Sequence, residues 1–389
     1  MDLHASWSRR VAAVAVTVTT VLAPAPALAA PAANAAPASV TAHAPVPAGF
    51  KAAALSWLNP RQGWVLGAVP CGAKLCWRVA ATYDGARTWR GLGQVGPATA
   101  PPPDARPPVS EIRFATAEVG WAFGPGLFRS TNGGRAWRQV AIPGGGKQVL
   151  ALVISPAAAF AVISPCVGTD SGCTKSPTLW RTGAATSADW NLVRLKMPRA
   201  YFASMSTFDR TVYVVDGDNT PTAMGTLYAS VDGHSFSARP SPCELSKSLG
   251  LAQVVATSAN RVALLCTGDP GFSKAVKTVY LSRDTGFSDV YAGMTGPLGI
   301  SAELAASTSG ELAVAAWSDG SFIYHGTGPA KPWPMVLGLA DDGMGFNDLA
   351  FVSSQVAWAV HGPVSVLADF AGDLCVTRDG GVRWTIVKL

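Results

Sequence analysis

The sequence predicts an all-β chain, a seven-bladed β-propeller of four-stranded blades. Three observations carry this expectation. The 389 residues are 49% hydrophobic and only 14% charged, enough to bury a large core. Forty Gly, 29 Pro and 13 Trp accompany few helix-length apolar stretches, which favours short strands joined by turns. A Ser/Thr-x-Asp-Gly-x-x-x-Trp pattern also recurs about every 50 residues with four strand-like runs per copy, the spacing of a propeller blade.

The N-terminus reads as an export signal. Arg9 and Arg10 precede an apolar stretch from Val11 to Leu22, and Ala27-Leu28-Ala29 offers a small-x-small cleavage site, so residues 1–29 are expected to be a signal peptide and the protein secreted. The apolar stretch holds Thr17, Thr19 and Thr20 and stops before Pro24, too short for a membrane anchor. The paired arginines also fit a twin-arginine signal. Residues 30–49 are almost all Ala, Pro and small polar residues and predict an extended tether, which leaves 50–389 as the propeller. Lys and Arg total 30 against 24 Asp and Glu, with no long basic run, so nucleic acid is not an expected partner.

Aligning the repeats on their Ser or Thr gives Thr82, Ser130, Thr182, Ser230, Ser282 and Thr377, and the double-length last interval implies a degenerate seventh copy between Phe322 and Trp333, with His325 near the expected register. The fullest copies carry Thr82, Asp84 and Trp89; Ser130, Asn132, Gly134 and Trp137; and Thr377, Asp379, Gly381 and Trp384. Ser230 with Asp232 and Ser282 with Asp284 are weaker, and Thr182 is followed by Ala184 where the pattern wants Asp. The residue choice is that of a tight turn: Asp or Asn accepts nearby backbone N–H groups, Gly takes angles other residues avoid, and Trp wedges beneath. These copies resemble the Asp-box, or BNR, repeat, and the order of strands around them is similar to that of sortilin-type and photosystem II assembly factor-like propellers. The resemblance covers nearly all of 50–389 and implies fold without implying activity. The boxes are therefore expected to be structural, and Trp121 and Trp358 in the second strands to pack between blades.

The first innermost strand is expected near Ala52 to Trp57 and the last outermost strand at Trp384 to Leu389, so the first and last blades meet without sharing a strand, unless residues 39–42 add one. Seven Cys in an exported chain predict disulfides plus one thiol: Cys71 with Cys76, Cys166 with Cys173, Cys243 with Cys266, and Cys375 free and buried. Such disulfides favour the general secretory route. The resemblance implies that the Asp-box turns lie on one face and the loops between second and third strands on the other. The latter set is long here and partly stapled by cysteines, as in a rigid recognition surface.

Chemistry is weakly signalled. A sialidase would show Arg-Ile-Pro, an arginine triad and a Tyr nucleophile, and Ile142-Pro143 lacks the Arg. A polysaccharide-cleaving hydrolase needs two carboxylates, for which Asp216, Asp218, Asp341 and Asp342 are candidates at the channel mouth, with Asp348 nearby; clusters of Asp, Gly and Asn also read simply as solvated turns. Glu111 and Glu118 read as surface or strand-end residues. The stretch from Asp216 departs from a calcium loop at Pro221 and Leu227, so no metal is expected. No nucleotide-binding or nucleophile-elbow motif occurs, and no cofactor is expected. The expectation is a monomeric, non-catalytic binding or assembly module for a cell-envelope glycan or protein, with a secreted glycoside hydrolase as the alternative.

Overall fold

A computed structural model describes residues 44–100, 107–167, 175–198, 202–217, 225–245, 249–258, 261–268, 271–282, 289–326, 332–341, 345–362, 372–387 and 389. These residues form seven antiparallel four-stranded blades in chain order, one of them extended by a short parallel fifth strand, and their innermost strands touch in sequence and close on themselves. The protein is a seven-bladed β-propeller.

Blade 1 comprises β1 (Lys51–Asn59), β2 (Gln62–Cys71), β3 (Lys74–Thr82) and β4 (Arg90–Gln94); blade 2 comprises β5 (Glu111–Phe114), β6 (Gly120–Phe123), β7 (Leu127–Ser130) and β8 (Arg138–Gln139). Blade 3 follows with β9 (Gln148–Ile154), β10 (Ala159–Ser164), β11 (Thr178–Thr182) and β12 (Trp190–Val193), and blade 4 with β13 (Phe202–Phe208), β14 (Thr211–Gly217), β15 (Thr226–Ser230) and β16 (Ser237–Arg239). Blade 5 holds β17 (Leu249–Ser258), β18 (Arg261–Gly268), β19 (Lys277–Ser282) and β20 (Asp289–Thr295). Blade 6 holds β21 (Ser301–Ala306), β22 (Leu312–Trp317), β23 (Ser321–Gly326) and β25 (Met335–Leu339); between its last two strands, β24 (Pro332–Trp333) pairs in parallel with β20 of blade 5. Blade 7 comprises β26 (Phe346–Phe351), β27 (Ala357–His361), β28 (Asp373–Thr377) and β29 (Thr385–Val387).

The motif residues sit where a blade needs a turn. Thr82, Ser130, Thr182, Ser230, Ser282 and Thr377 each end a third strand. In blade 6 that place belongs to Gly326, one residue beyond His325, and the Trp that follows seven residues later in blades 1, 2 and 7 is Trp333. A Cβ on Gly326 would lie 2.4 Å from the Trp333 ring, so the missing side chain makes room for the wedge.

The core lies between blades. Trp64 stacks on Phe114 of blade 2 at 3.8 Å, Trp121 meets Trp190 of blade 3 edge-on, and Trp358 of blade 7 stacks on Trp57 of blade 1 at 4.8 Å. Trp64, Trp121 and Trp358 are buried and fill the gap between twisted sheets. Blades 7 and 1 meet without a shared strand; residues 39–42, the alternative source of one, lie outside the described residues. Residues 44–49, assigned from composition to the tether, instead lie along blade 1, where Ala44 accepts the Gly91 N–H of β4 at 2.9 Å. Val46 of this segment packs against the apolar cluster shared by blades 1 and 7, a single anchor among Ala, Pro and Gly that composition does not weigh.

Candidate functional site

The antiparallel order gives the ring two unlike ends. At one, the Asp turn of a blade is bonded to the turn between its first and second strands: Gly85 N–H donates to Arg61 O at 2.9 Å, Gly133 to Glu118 O at 2.8 Å and Gly380 to Gln355 O at 2.9 Å. Within the turns, Asp84 Oδ1 accepts Thr82 Oγ1 at 2.9 Å and the Arg87 and Thr88 N–H groups at 3.0 Å. Asp379 accepts Thr377 Oγ1 and Arg383 N–H, both at 2.9 Å, and Asp232 accepts Ser230 Oγ and the His234 and Ser235 N–H groups. Asn132 takes the same role toward Ser130 and Ala136. Trp137 and Trp384 donate their indole N–H to Gly134 O and Gly381 O, each at 3.1 Å. Trp89 packs instead against Trp57, edge-on at 6.2 Å. The bonds from Thr88 hold Asp84 down to about 2, and backbone N–H groups, led by Ser235 and Arg383, hold Asp232 and Asp379 below the usual carboxylate range. In blade 3, Thr182 Oγ1 donates to Ala184 O at 2.6 Å. Asp284 lies outside the described residues.

The seven innermost strands enclose a central channel of about 610 Å³. Polar side chains there tie one blade's backbone to the next: Ser56 accepts Phe114 N–H at 2.9 Å, Ser206 accepts Ala256 N–H at 2.8 Å, Gln253 accepts Leu304 N–H, and Glu303 accepts Leu349 N–H at 3.3 Å. Asp348 makes the tie from blade 7 to blade 1 by accepting Leu55 N–H at 2.8 Å while binding Arg113 at 2.7 Å. Arg113 also meets Glu111 at 3.1 Å. Burial first, and then the Asp348 charge, push Glu111 well above its ordinary range and Glu303 up to about 8. Burial works against the charge on Arg113, yet Asp348 and Glu111 outweigh it and raise its pKa. Burial and the shared Asp348 charge thus disfavour ionisation of Glu111 and Glu303 beside the Arg113–Asp348 pair. Glu111 stands at a strand end, as the sequence suggested, but faces the channel rather than the outer surface, and Asp348 is a clasp between blades rather than a solvated turn residue.

The opposite end carries the loops between second and third strands. Cys71 and Cys76 form a disulfide at the tip of the β2–β3 hairpin, and Cys243 is joined to Cys266 of β18, tying the end of blade 4 to blade 5. Cys166 is disulfide-bonded, while Cys173, its expected partner, lies outside the described residues. Cys375 is a free thiol buried in β28, and burial pushes it up to about 12, which makes it a poor nucleophile.

The loop between β18 and β19 holds a braced turn at this end. Gly271 and Lys274 exchange backbone hydrogen bonds at 2.8 and 3.0 Å, closing a turn whose central residues, Phe272 and Ser273, have φ of 47° and 62°. Those angles define a left-handed turn that non-glycine residues seldom take. It is braced from outside: Ser273 donates to Asp319, Ser318 Oγ to Ser273 O at 3.0 Å, and Gly299 N–H to Ser273 O at 3.1 Å. Beneath it Lys277, fully buried, donates to the carbonyls of Ala275, Pro297 and Gly299 at 2.9, 3.2 and 2.8 Å. Burial lowers its pKa to about 8. The result holds the Phe272 ring wholly in solvent, at 101% exposure, beside the exposed Val276.

Of the predicted hydrolase carboxylates, Asp216 and Asp341 are the two among the described residues, and they are not placed as an acid–base pair. Asp216 is buried inside β14, where Oδ1 accepts Thr226 N–H at 3.1 Å and burial raises its pKa to about 6. It pairs across the sheet with Ala203 and Thr226, so the solvated-turn expectation fails at this residue. Asp341, two blades away, accepts Ser321 Oγ at 2.9 Å and meets His361 Nε2. Ser, Asp and His are all present, yet the carboxylate stands in the middle; a hydrolytic triad needs His between the other two to take the Ser proton. Asp218 and Asp342 lie outside the described residues. Among the described residues, no group of three or more His, Cys, Asp or Glu is placed to hold a metal.

Comparison with known proteins separates fold from family. No family model and no curated protein matches the sequence. The solved structures do. The propeller of YCF48 bound to D1 peptide superposes with a TM-score of 0.54 at 15% identity, over 86% of this chain and 95% of that one. YCF48 from Cyanidioschyzon merolae matches with a TM-score of 0.39 at 17% identity, covering 89% of this chain and 88% of that one. At this identity the likeness establishes the propeller fold. Among the described residues, no helix is long and apolar enough to cross a membrane.

Proposed function

We propose that this propeller is an exported, monomeric, non-catalytic binding or assembly module that engages a protein of the cell envelope through its loop-rich end. The observation that carries the reading is the Phe272 turn. Large apolar side chains in full solvent on a rigid support are the usual anchors of protein interfaces, because a pre-ordered contact loses little entropy on binding. Backbone strain at two consecutive non-glycine positions is retained where recognition uses it. A YCF48 propeller holds a peptide, which supports a protein partner for a chain of this fold. The leader and the disulfides support export, and the Asp-box resemblance of the turns supports their structural role. A glycan partner is the second outcome of the same experiment. The hydrolase reading loses ground because Asp341 is engaged with Ser321 and His361, and Asp348 with Arg113 and Leu55.

The test screens the purified chain on arrays of envelope-protein peptides and of glycans, reading both retention and released sugar, beside Phe272→Ser. Retention without release, lost in Phe272→Ser at unchanged melting temperature, is expected. Released sugar, or binding indifferent to Phe272, would overturn the reading.

A further inference from the structure

We propose that Asn132–Gly133 is a deamidation site that the folded blade 2 keeps closed and that unfolding opens. It is the single Asn-Gly step in the sequence, and it occupies the turn position that Asp84, Asp232 and Asp379 fill in other blades. An Asn-Gly step is prone to self-reaction because glycine has no Cβ to hinder the approach of its backbone nitrogen. The Gly133 nitrogen attacks Asn132 Cγ, the N–Cγ bond forms and the Cγ–Nδ2 bond breaks. Ammonia leaves carrying the former Gly133 amide proton, which gives a five-membered succinimide. Water then opens the ring at either carbonyl, leaving aspartate or isoaspartate in place of the asparagine.

The folded turn blocks the first step. The attacking N–H is engaged with Glu118 O at 2.8 Å, and the electrophilic amide has its oxygen held by Ser130 Oγ at 3.1 Å and Ala136 N–H at 2.9 Å. Gly133 is buried with φ fixed at 72°. The neighbouring turn that supplies Glu118 O is itself held by Thr116 Oγ1, which accepts the Glu118 and Val119 N–H groups at 3.2 and 3.0 Å. Conversion therefore requires a local opening that frees Gly133.

The two products have opposite fates. The aspartyl product keeps the acceptor oxygen and matches the Asp turns of blades 1 and 7. The isoaspartyl form adds a backbone methylene between Ser130, which binds Gly134 N–H at 2.9 Å, and Gly133 O, which accepts Trp64 Nε1 at 3.1 Å. That damage falls on the junction of blades 1 and 2, so a chain that has aged while unfolded cannot rebuild it.

The experiment incubates the full chain in mildly alkaline buffer at physiological temperature, folded or in urea, followed by acid-pH digestion and mass spectrometry that separates aspartate from isoaspartate. Conversion of Asn132 is expected to be more than about tenfold slower in the folded protein, with folded Thr116→Val in between. The fraction that refolds after the urea arm should fall in step with the isoaspartate formed from Asn132, whereas Asn132→Asp should retain it. Equal rates in folded and unfolded protein would overturn the protection, and an intact Asn132 in urea would overturn the site.

Discussion

Replacing Glu303 by Gln tests whether the channel holds protonated carboxyls. The substitution preserves shape and leaves an amide oxygen to accept the Leu349 N–H, so only the titration is removed. An acid raised from 4.5 to about 8 binds an extra proton in the folded state throughout that window. The contribution of Glu303 to stability is therefore greatest below about 4.5, where folded and unfolded chains both hold its proton, and falls as pH rises toward 8, where only the unfolded chain has gained its charge in water. At about 1.4 kcal/mol per pH step the ceiling is about 5 kcal/mol. The residue is partly exposed along the channel, which reduces the expected loss to about 1–2 kcal/mol. Urea unfolding of wild type and Glu303→Gln at intervals from pH 5 to 9 reads it directly. The wild-type midpoint should drop across the series while that of the variant stays flatter, the two diverging most above pH 8. Parallel curves would mean that Glu303 ionises in the folded protein as it does in the unfolded one, and the electrostatic account of the channel would fail.

Asp379→Ala removes the acceptor for Thr377 and Arg383 and should cost about 1 kcal/mol in thermal melts while leaving array binding intact; lost binding at unchanged melting would show that the turn is part of the binding surface. Ala86 has φ of 68° where blades 2 and 7 place Gly134 and Gly381, so Ala86→Gly should raise stability by about 0.5–1 kcal/mol, and a lower melting temperature would contradict the strain. Lys277→Met leaves three carbonyls without their buried donor, a loss of about 1–3 kcal/mol. Hydrogen exchange should quicken at 271–276 more than in blade 2, and a uniform change would refute the brace.

The turns and wedges were legible in the sequence because each is local: Ser or Thr, Asp, Gly and Trp at fixed offsets need only one another, and their repetition marks where third strands end. The channel cluster was not legible. Glu111, Arg113, Glu303 and Asp348 come from blades 2, 6 and 7 and meet only when the ring closes, although Glu111 and Arg113, two apart on one innermost strand, already share a face. Asp216 misled for a different reason: Asp-Gly-Asp-Asn has turn composition, but cross-strand pairing with Ala203 and Thr226 keeps Asp216 inside β14, which ends at Gly217. The Phe272 turn carries Phe-Ser where a left-handed turn usually shows Asn-Gly, so its support from Lys277 and Asp319 had no sequence mark.

The short strand β24 makes two of the seven blades inseparable. Everywhere else a blade takes its strands from its own stretch of chain, so a duplication or deletion of one repeat would leave its neighbours' sheets intact. Blade 6 alone lends two residues, Pro332 and Trp333, to the edge of blade 5 before returning to finish itself. A cut or a circular permutation between β23 and β25 would strip blade 5 of its outermost cover as well as blade 6 of its last strand. The junction of blades 7 and 1 shares no strand and is crossed by the Asp348 and Trp57 side chains and by one backbone bond, from Ala52 N–H to Gly372 O at 2.8 Å, so new termini or an additional repeat would be accommodated there at least cost to the ring.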